Sequence, residues 1–391
     1  MMFKIVTILC LFLTLLNAKD VTKNLEYIGT PYKKQYRSGE DIYSRNVWDM
    51  VLYDGKFFIG AGNSANEGPS INSGPVYLIA LNPNIDKFEN ISRIDDDQVD
   101  KFKILNKKLF IPGHDAKGSW DWGNFYIYNN HKSRFKKFRN IPNALHIYDL
   151  VLKDGKLFSA IGLDEGAAVG ITKNYGKNWE IQKLGSSRVY AFLPLGDELF
   201  ALKKFKRTSR PYFSVAQYID GNFIPRYDIS IYKMFPKTRF EIKYSRATRI
   251  IKLGNKAIYV GAYKYNSHQT KPFGLYKVKL DGSNLVTSRI FLDDGYVPRD
   301  IIKRGTEIFV LTSKKEGFNT IIKVLKFNSK NLNHYKELFY FNYPTFARSF
   351  ELYKNSFYFG MGSDVDEGDY WKMEDIKKET GNILKYEFKE L

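Results

Sequence analysis

Three arginines, Arg249, Arg299 and Arg348, recur along the chain at spacings of 50 and 49 residues. A guanidinium is a planar, permanently charged fork that grips carboxylates and phosphates through paired hydrogen bonds. Three of them converging on one point would bind an anion, and Tyr148 and Tyr190 stand at comparable intervals upstream. The same arginines can instead pair with Asp49, Asp149 and Asp300 and line a solvated channel that needs no ligand. A second group is aromatic. Trp120, Trp122 and Trp371, with Trp48, make up four of the five tryptophans, and His114 and Asp115 lie nearby. Aromatic faces beside carboxylates and amides grip sugars, although long loops also use tryptophan to pack themselves.

Metal-binding signals are sparse. Asp364, Asp366 and Asp369 alternate around Gly368, as in the start of an oxygen-ligand calcium loop, but the distal bidentate glutamate is missing. Calcium is the one cofactor this pattern suggests, and no other cofactor motif is present. The five histidines show neither HxH nor HxxxH spacing, so zinc or copper has no local signature, although His114 and His146 can meet in space. Cys10 is the only cysteine and lies in the N-terminal apolar segment. A chain processed after that segment has no disulfide, thiolate metal site or cysteine nucleophile.

The elements that must position these residues repeat. An extended apolar stretch, a tight polar turn and a second strand opening on an aromatic recur seven times. The aromatics are Phe58, Phe110, Phe158, Phe200, Tyr259, Phe309 and Tyr358, a mean period of 50 residues. Asp54-Gly55 and Asp154-Gly155 are dipeptides that close two-residue hairpins, as are Gly196-Asp197 and Gly254-Asn255. Each hairpin is followed by a third strand, such as 76–81, 124–128, 273–278 or 321–327, and usually a fourth. Only 372–379 reads as a short helix. Four strands per 50-residue unit, with no helix between units, predict an all-β, seven-bladed β-propeller. The last unit is one strand short, and the orphan extended segment 24–29 would complete it and seal the ring.

Aligned on the anchor aromatics, Trp48, Asp100, Tyr148, Tyr190, Arg249, Arg299 and Arg348 form one column near the channel mouth. Long loops after the second strands of blades 7, 1 and 2 (362–381, 60–75 and 113–123) carry most of the tryptophans. The expected ligand-binding set is therefore Trp48, Asp49, His114, Asp115, Trp120, Trp122, His146, Tyr148, Arg249, Arg299, Arg348 and Trp371. Opposite it, 203–210 and 263–271 are basic.

Residues 1–18 read as a signal peptide: Lys4, an apolar core over 5–16, and a small residue at Ala18. Residues 19–391 are then one propeller domain, periplasmic or secreted, with no transmembrane anchor after cleavage. The formal charge of +19 falls to +18 with the loss of Lys4. A basic balance suits anionic partners, but the lysines are scattered, and export argues against nucleic acid. A monomer is expected.

Thr172-Lys173-Asn174-Tyr175-Gly176-Lys177-Asn178-Trp179 resembles the Asp-box of sialidase-type propeller repeats, with Asn174 where aspartate is usual. In that family the box is a structural turn, so the resemblance implies a propeller and no catalysis. The segments 60–63, 74–76, 111–115, 120–126 and 141–143 resemble uncharacterised secreted bacterial propellers, and that similarity implies no activity. The expected function is binding or scaffolding, with a glycan or envelope protein as ligand. The alternative is a hydrolase or lyase of acidic sugars built on the arginines and tyrosines.

Overall fold

The computed structural model describes residues 18–37, 39–64, 72–164, 166–206, 212–238, 244–264, 270–364 and 374–389. The expected signal segment up to residue 17 lies outside that set, as do Trp371, Asp366 and Asp369.

Seven sheets follow one another along the chain, each built on four strands in up-and-down order. Blade 1 is Asp49–Tyr53, Lys56–Gly60, Val76–Asn82 and Lys87–Ile94. The inner strands of blades 2 to 7 begin at Lys103, His146, Val189, Tyr244, Val297 and Phe346. Local chemistry explains the hairpins. Asp54 and Gly55 have φ of 49° and 73°, and Asp154 and Gly155 have 49° and 71°. Two consecutive left-handed residues match the twist of the flanking strands.

The seven anchor aromatics are all 1% exposed or less, so each repeat places a ring in the core. These rings also stitch neighbouring blades. Phe58 meets Phe102 at 6.5 Å, Phe158 meets Phe192 at 6.4 Å, and Phe309 meets Phe357 at 5.5 Å. Burying one such ring stabilises the fold by roughly 1.5–3 kcal/mol.

The ring closes as the repeat pattern anticipates. Glu26–Gly29 pairs antiparallel with Ile383–Glu387, with Tyr27 opposite Leu384, and forms the outer strand of blade 7. A second N-terminal contact was not foreseen. Lys19–Asp20 adds in parallel to blade 6 opposite Phe339 and Tyr340, and Val21 behind it is fully buried. Two residues carry no readable alternation, so only the tertiary fold reveals this strand.

The segment 113–123 was expected to be a loop, and part of it is not. His114–Ala116 inserts between the inner strand of blade 3 and Asp96–Gln98, extending that sheet to six strands. The helix Glu374–Glu379 lies within the expected 372–379, whereas the short helix Ile231–Met234, capped by the Ser230 hydroxyl, had no sequence signal. The turn at 172–179 is tied by Asn174, whose side-chain Oδ1 accepts from the backbone N–H groups of Lys177 (2.9 Å) and Asn178 (3.0 Å). Trp179 packs edge-on against Phe125 beneath it. Among the described residues no helix is long and apolar enough to cross a membrane.

One backbone irregularity positions the column aligned near the channel mouth. In blades 3 to 7 the inner-strand register slips at 147/149, 189/191, 248/251, 298/300 and 347/349. Tyr148, Tyr190, Arg249, Arg299 and Arg348 therefore sit at bulges. A bulged residue leaves the ladder, and its side chain is re-aimed.

Candidate functional site

The expected site residues separate into two arcs. The first joins blades 5, 6, 7 and 1. Arg249 reaches across the channel to blade 1, where Nη1 donates to Asp49 Oδ1 (2.6 Å) and Nη2 to the Trp48 carbonyl. Its Nε lies 3.3 Å from Asp300 Oδ1. Arg299 donates to Ser313 Oγ (2.8 Å), stacks on Phe346 (3.7 Å) and pairs with Asp364 (3.5 Å). Arg348 also pairs with Asp364 (3.2 Å), donates to Asn46 (3.0 Å) and covers the Trp48 ring (4.2 Å). Each arginine of the column thus has a carboxylate partner. Asp364, the described member of the acid-rich loop, spends its carboxylate on two guanidinium groups. Trp48 donates its indole N–H to the Gly62 carbonyl (2.7 Å) and is packed rather than presented.

The carboxylates of this arc also pin blades together. Asp49 accepts from the backbone N–H of Phe102 in the next blade (2.7 Å), and Asp300 accepts from that of Phe350 (3.2 Å). Asp149 repeats the contact with Phe192 (3.0 Å). Burial raises the pKa of Asp300; Arg249 opposes the rise, and the Asp49 charge adds to it.

The second arc lies on blades 2 to 4. His114 is the cross-strand partner of His146, and their ring centroids are 5.7 Å apart. Asp115 has φ of 63°. In a regular strand its side chain would point away from both histidines. The left-handed backbone instead brings its carboxylate beside them, against His146 Nδ1 and 3.9 Å from His114 Nε2. Behind His114, Nδ1 lies 3.3 Å from Asp100. Tyr148 lies 5.3 Å from both imidazoles, edge-on to His114 and tilted against His146, accepts from Arg188 Nη1 (2.6 Å) and meets Tyr190 at 4.7 Å.

The charges in this arc are split. Burial opposes protonation of His114, but Asp100 and then Asp115 outweigh it and raise its pKa. For His146 burial prevails over Asp115, so its pKa is lowered. Asp115 resists the upward push of burial through His146 and His114 and is held low. Burial pushes the Tyr148 phenol well above its ordinary value.

A cavity of about 490 Å³ adjoins this arc, lined by Asp164, Ser186, Ser187, Arg188, Tyr190 and Lys204 among others. These residues come from the end of the second strand of blade 3, the link into blade 4, the start of its inner strand and the end of its second strand. Loop residues 186–188 had only a partial signal, since Arg188 neighbours Tyr190 in the column. Trp120 and Trp122 lie at the far end of the His114 loop and are 59% and 44% exposed. The basic stretch 203–210 is described only at its start. There Lys203 is buried, donates to the Leu184 carbonyl (2.8 Å) and covers the Phe213 ring at 3.9 Å.

No protein-family model matches the chain, and no curated protein matches it in sequence. Solved structures resemble it in fold. A chain of the mitotic checkpoint complex is 11% identical over 99% of each chain, with a TM-score of 0.51. Hydrazine synthase of Kuenenia stuttgartiensis is 10% identical over 81% of this chain and 92% of its own, with a TM-score of 0.50. The β-propeller domain of the trilobed protease from Pyrococcus furiosus is 10% identical, covering 81% and 90%, at 0.48. At such identities likeness reaches the fold and no further. Strand order and ring closure define the chain as a seven-bladed β-propeller.

Proposed function

We propose that this chain is an exported binding propeller that recognises a glycan or envelope protein at its channel mouth, on the arc of blades 2 to 4. The observation that carries this reading is the cavity beside Arg188, Tyr190 and Lys204. Two cationic side chains, an aromatic face and serine hydroxyls suit a ligand bearing a carboxylate, such as an acidic sugar. Exposed Trp120 and Trp122 supply the flat faces on which further sugar units stack. The binding reading is favoured over a tyrosine-nucleophile hydrolase by two features. The column arginines are already paired with aspartates, and burial drives Tyr148 away from the ionised form that a nucleophile requires.

The test is titration of the purified chain with uronic-acid oligosaccharides and with envelope-protein extracts. Arg188→Ala is expected to weaken binding tenfold or more, and added salt to weaken it further. Binding that ignores Arg188→Ala and Tyr190→Ala would move the site elsewhere. Failure of every glycan and envelope fraction to bind would overturn the reading.

A further inference from the structure

We infer that His114, Asp115 and His146 form a binding site for a divalent transition metal of the zinc type. The inference stands apart from the ligand reading, because the metal alone is the probe. One donor atom from each of the three residues lies within 4.8 Å of the others. Two imidazoles and a carboxylate are a donor set suited to zinc and its first-row neighbours, whose bonds of about 2.0–2.2 Å require Asp115 to move a little from His146 toward His114.

Four structural features make this more than a chance gathering. The histidines are locked as cross-strand partners, so both rings project from the same face of one sheet. The left-handed conformation of Asp115 is one that non-glycine residues rarely adopt, and here it turns the carboxylate toward those rings. His146 is 7% exposed, and its Nδ1 has no hydrogen bond of normal geometry, although it lies beside the Asp115 carboxylate. Asp100 stands behind His114 Nδ1 at 3.3 Å, the placement of a carboxylate that orients a metal-bound imidazole; Nε2, whose contact is Ser64 Oγ at 3.3 Å, is then the donor, and metal would replace that contact.

The donor set is then His114 Nε2, His146 Nδ1 and a carboxylate oxygen of Asp115. Three protein ligands leave a coordination position for water or for a ligand oxygen. With both imidazoles neutral, the charges of Asp100 and Asp115 balance a dication. Asp100 acts as a positioning residue and touches no metal.

The experiment is calorimetric titration of the chelator-treated, purified chain with Zn²⁺, together with the visible spectrum of its Co²⁺ form. One equivalent is expected to bind at micromolar concentration or below. His146→Ala or Asp115→Asn should weaken binding tenfold or more, with folding checked by circular dichroism. Asp100→Asn should weaken it by about 10–100-fold without changing the stoichiometry. Imidazole NMR of the unaltered chain decides the matter even if a variant fails to fold, since Zn²⁺ should shift the signals of two of the five histidines. Absence of binding would overturn the proposal. So would binding that shifts only the histidines at 131, 268 or 334.

Discussion

The two arcs of the channel mouth use similar residue types toward different ends. On blades 5, 6, 7 and 1, arginines and aspartates satisfy one another, and the carboxylates reach on to backbone N–H groups of the neighbouring blade. That arc behaves as an axle that holds blades in register. On blades 2 to 4, Arg188 and Tyr190 border a cavity, and behind them, around Tyr148, two imidazole nitrogens lack well-directed partners. Charge density alone does not mark a site; incomplete satisfaction next to accessible space does.

The largest effect should come from cutting the axle. Arg249→Ala leaves Asp49 and Asp300 buried without their guanidinium, and loss of one partner of a buried pair costs about 3–5 kcal/mol. Urea unfolding should show that loss, while metal or glycan affinity measured on the folded fraction should stay within twofold. A stable Arg249→Ala protein with impaired binding would reverse the roles assigned to the two arcs.

A smaller effect concerns protons. Asp96 lies on the strand beside His114, where it is fully buried and held by Tyr126 and Asn124 rather than by a direct cation partner. Burial, against those hydrogen bonds, pushes its pKa up to about 6. A raised acid stabilises the fold below its unfolded pKa near 4, and that contribution is lost as pH rises through about 6. The window is therefore pH 4 to 6, with about 3 kcal/mol at stake for a shift of this size. Thermal melts across that range should fall more steeply for the unaltered chain than for Asp96→Asn. Parallel curves would show that Asp96 ionises without penalty.

The smallest effect on stability belongs to the exposed aromatics. Trp120→Ala and Trp122→Ala should change unfolding free energy by no more than about 0.5 kcal/mol. If the blade 2 loop contacts the ligand, each should still cost about 1–3 kcal/mol of binding. Melting temperatures that drop in both variants would show that the rings pack their own loop.

Much of the architecture is legible in the sequence. The period of 50 residues, the Asp-Gly hairpins, the buried aromatic of each repeat and the closing role of 24–29 are all encoded in neighbouring residues or in a regular recurrence. They depend on backbone preference and burial, which act over a few residues and so leave a local trace.

The partners around the channel leave no such trace. Arg249 and Asp49 are 200 residues apart in sequence and meet only because the ring closes. The inner-strand bulges, one residue each, redirect the column in a way no alternation pattern announces. His114 and His146 lack metal-ligand spacing, yet a three-residue strand from blade 2 inserts into blade 3 and places them side by side. Hydrophobic period and turn chemistry determine which blade a residue belongs to. The company its side chain keeps at the mouth is set by ring closure, bulges and one left-handed aspartate, because these fix direction rather than burial.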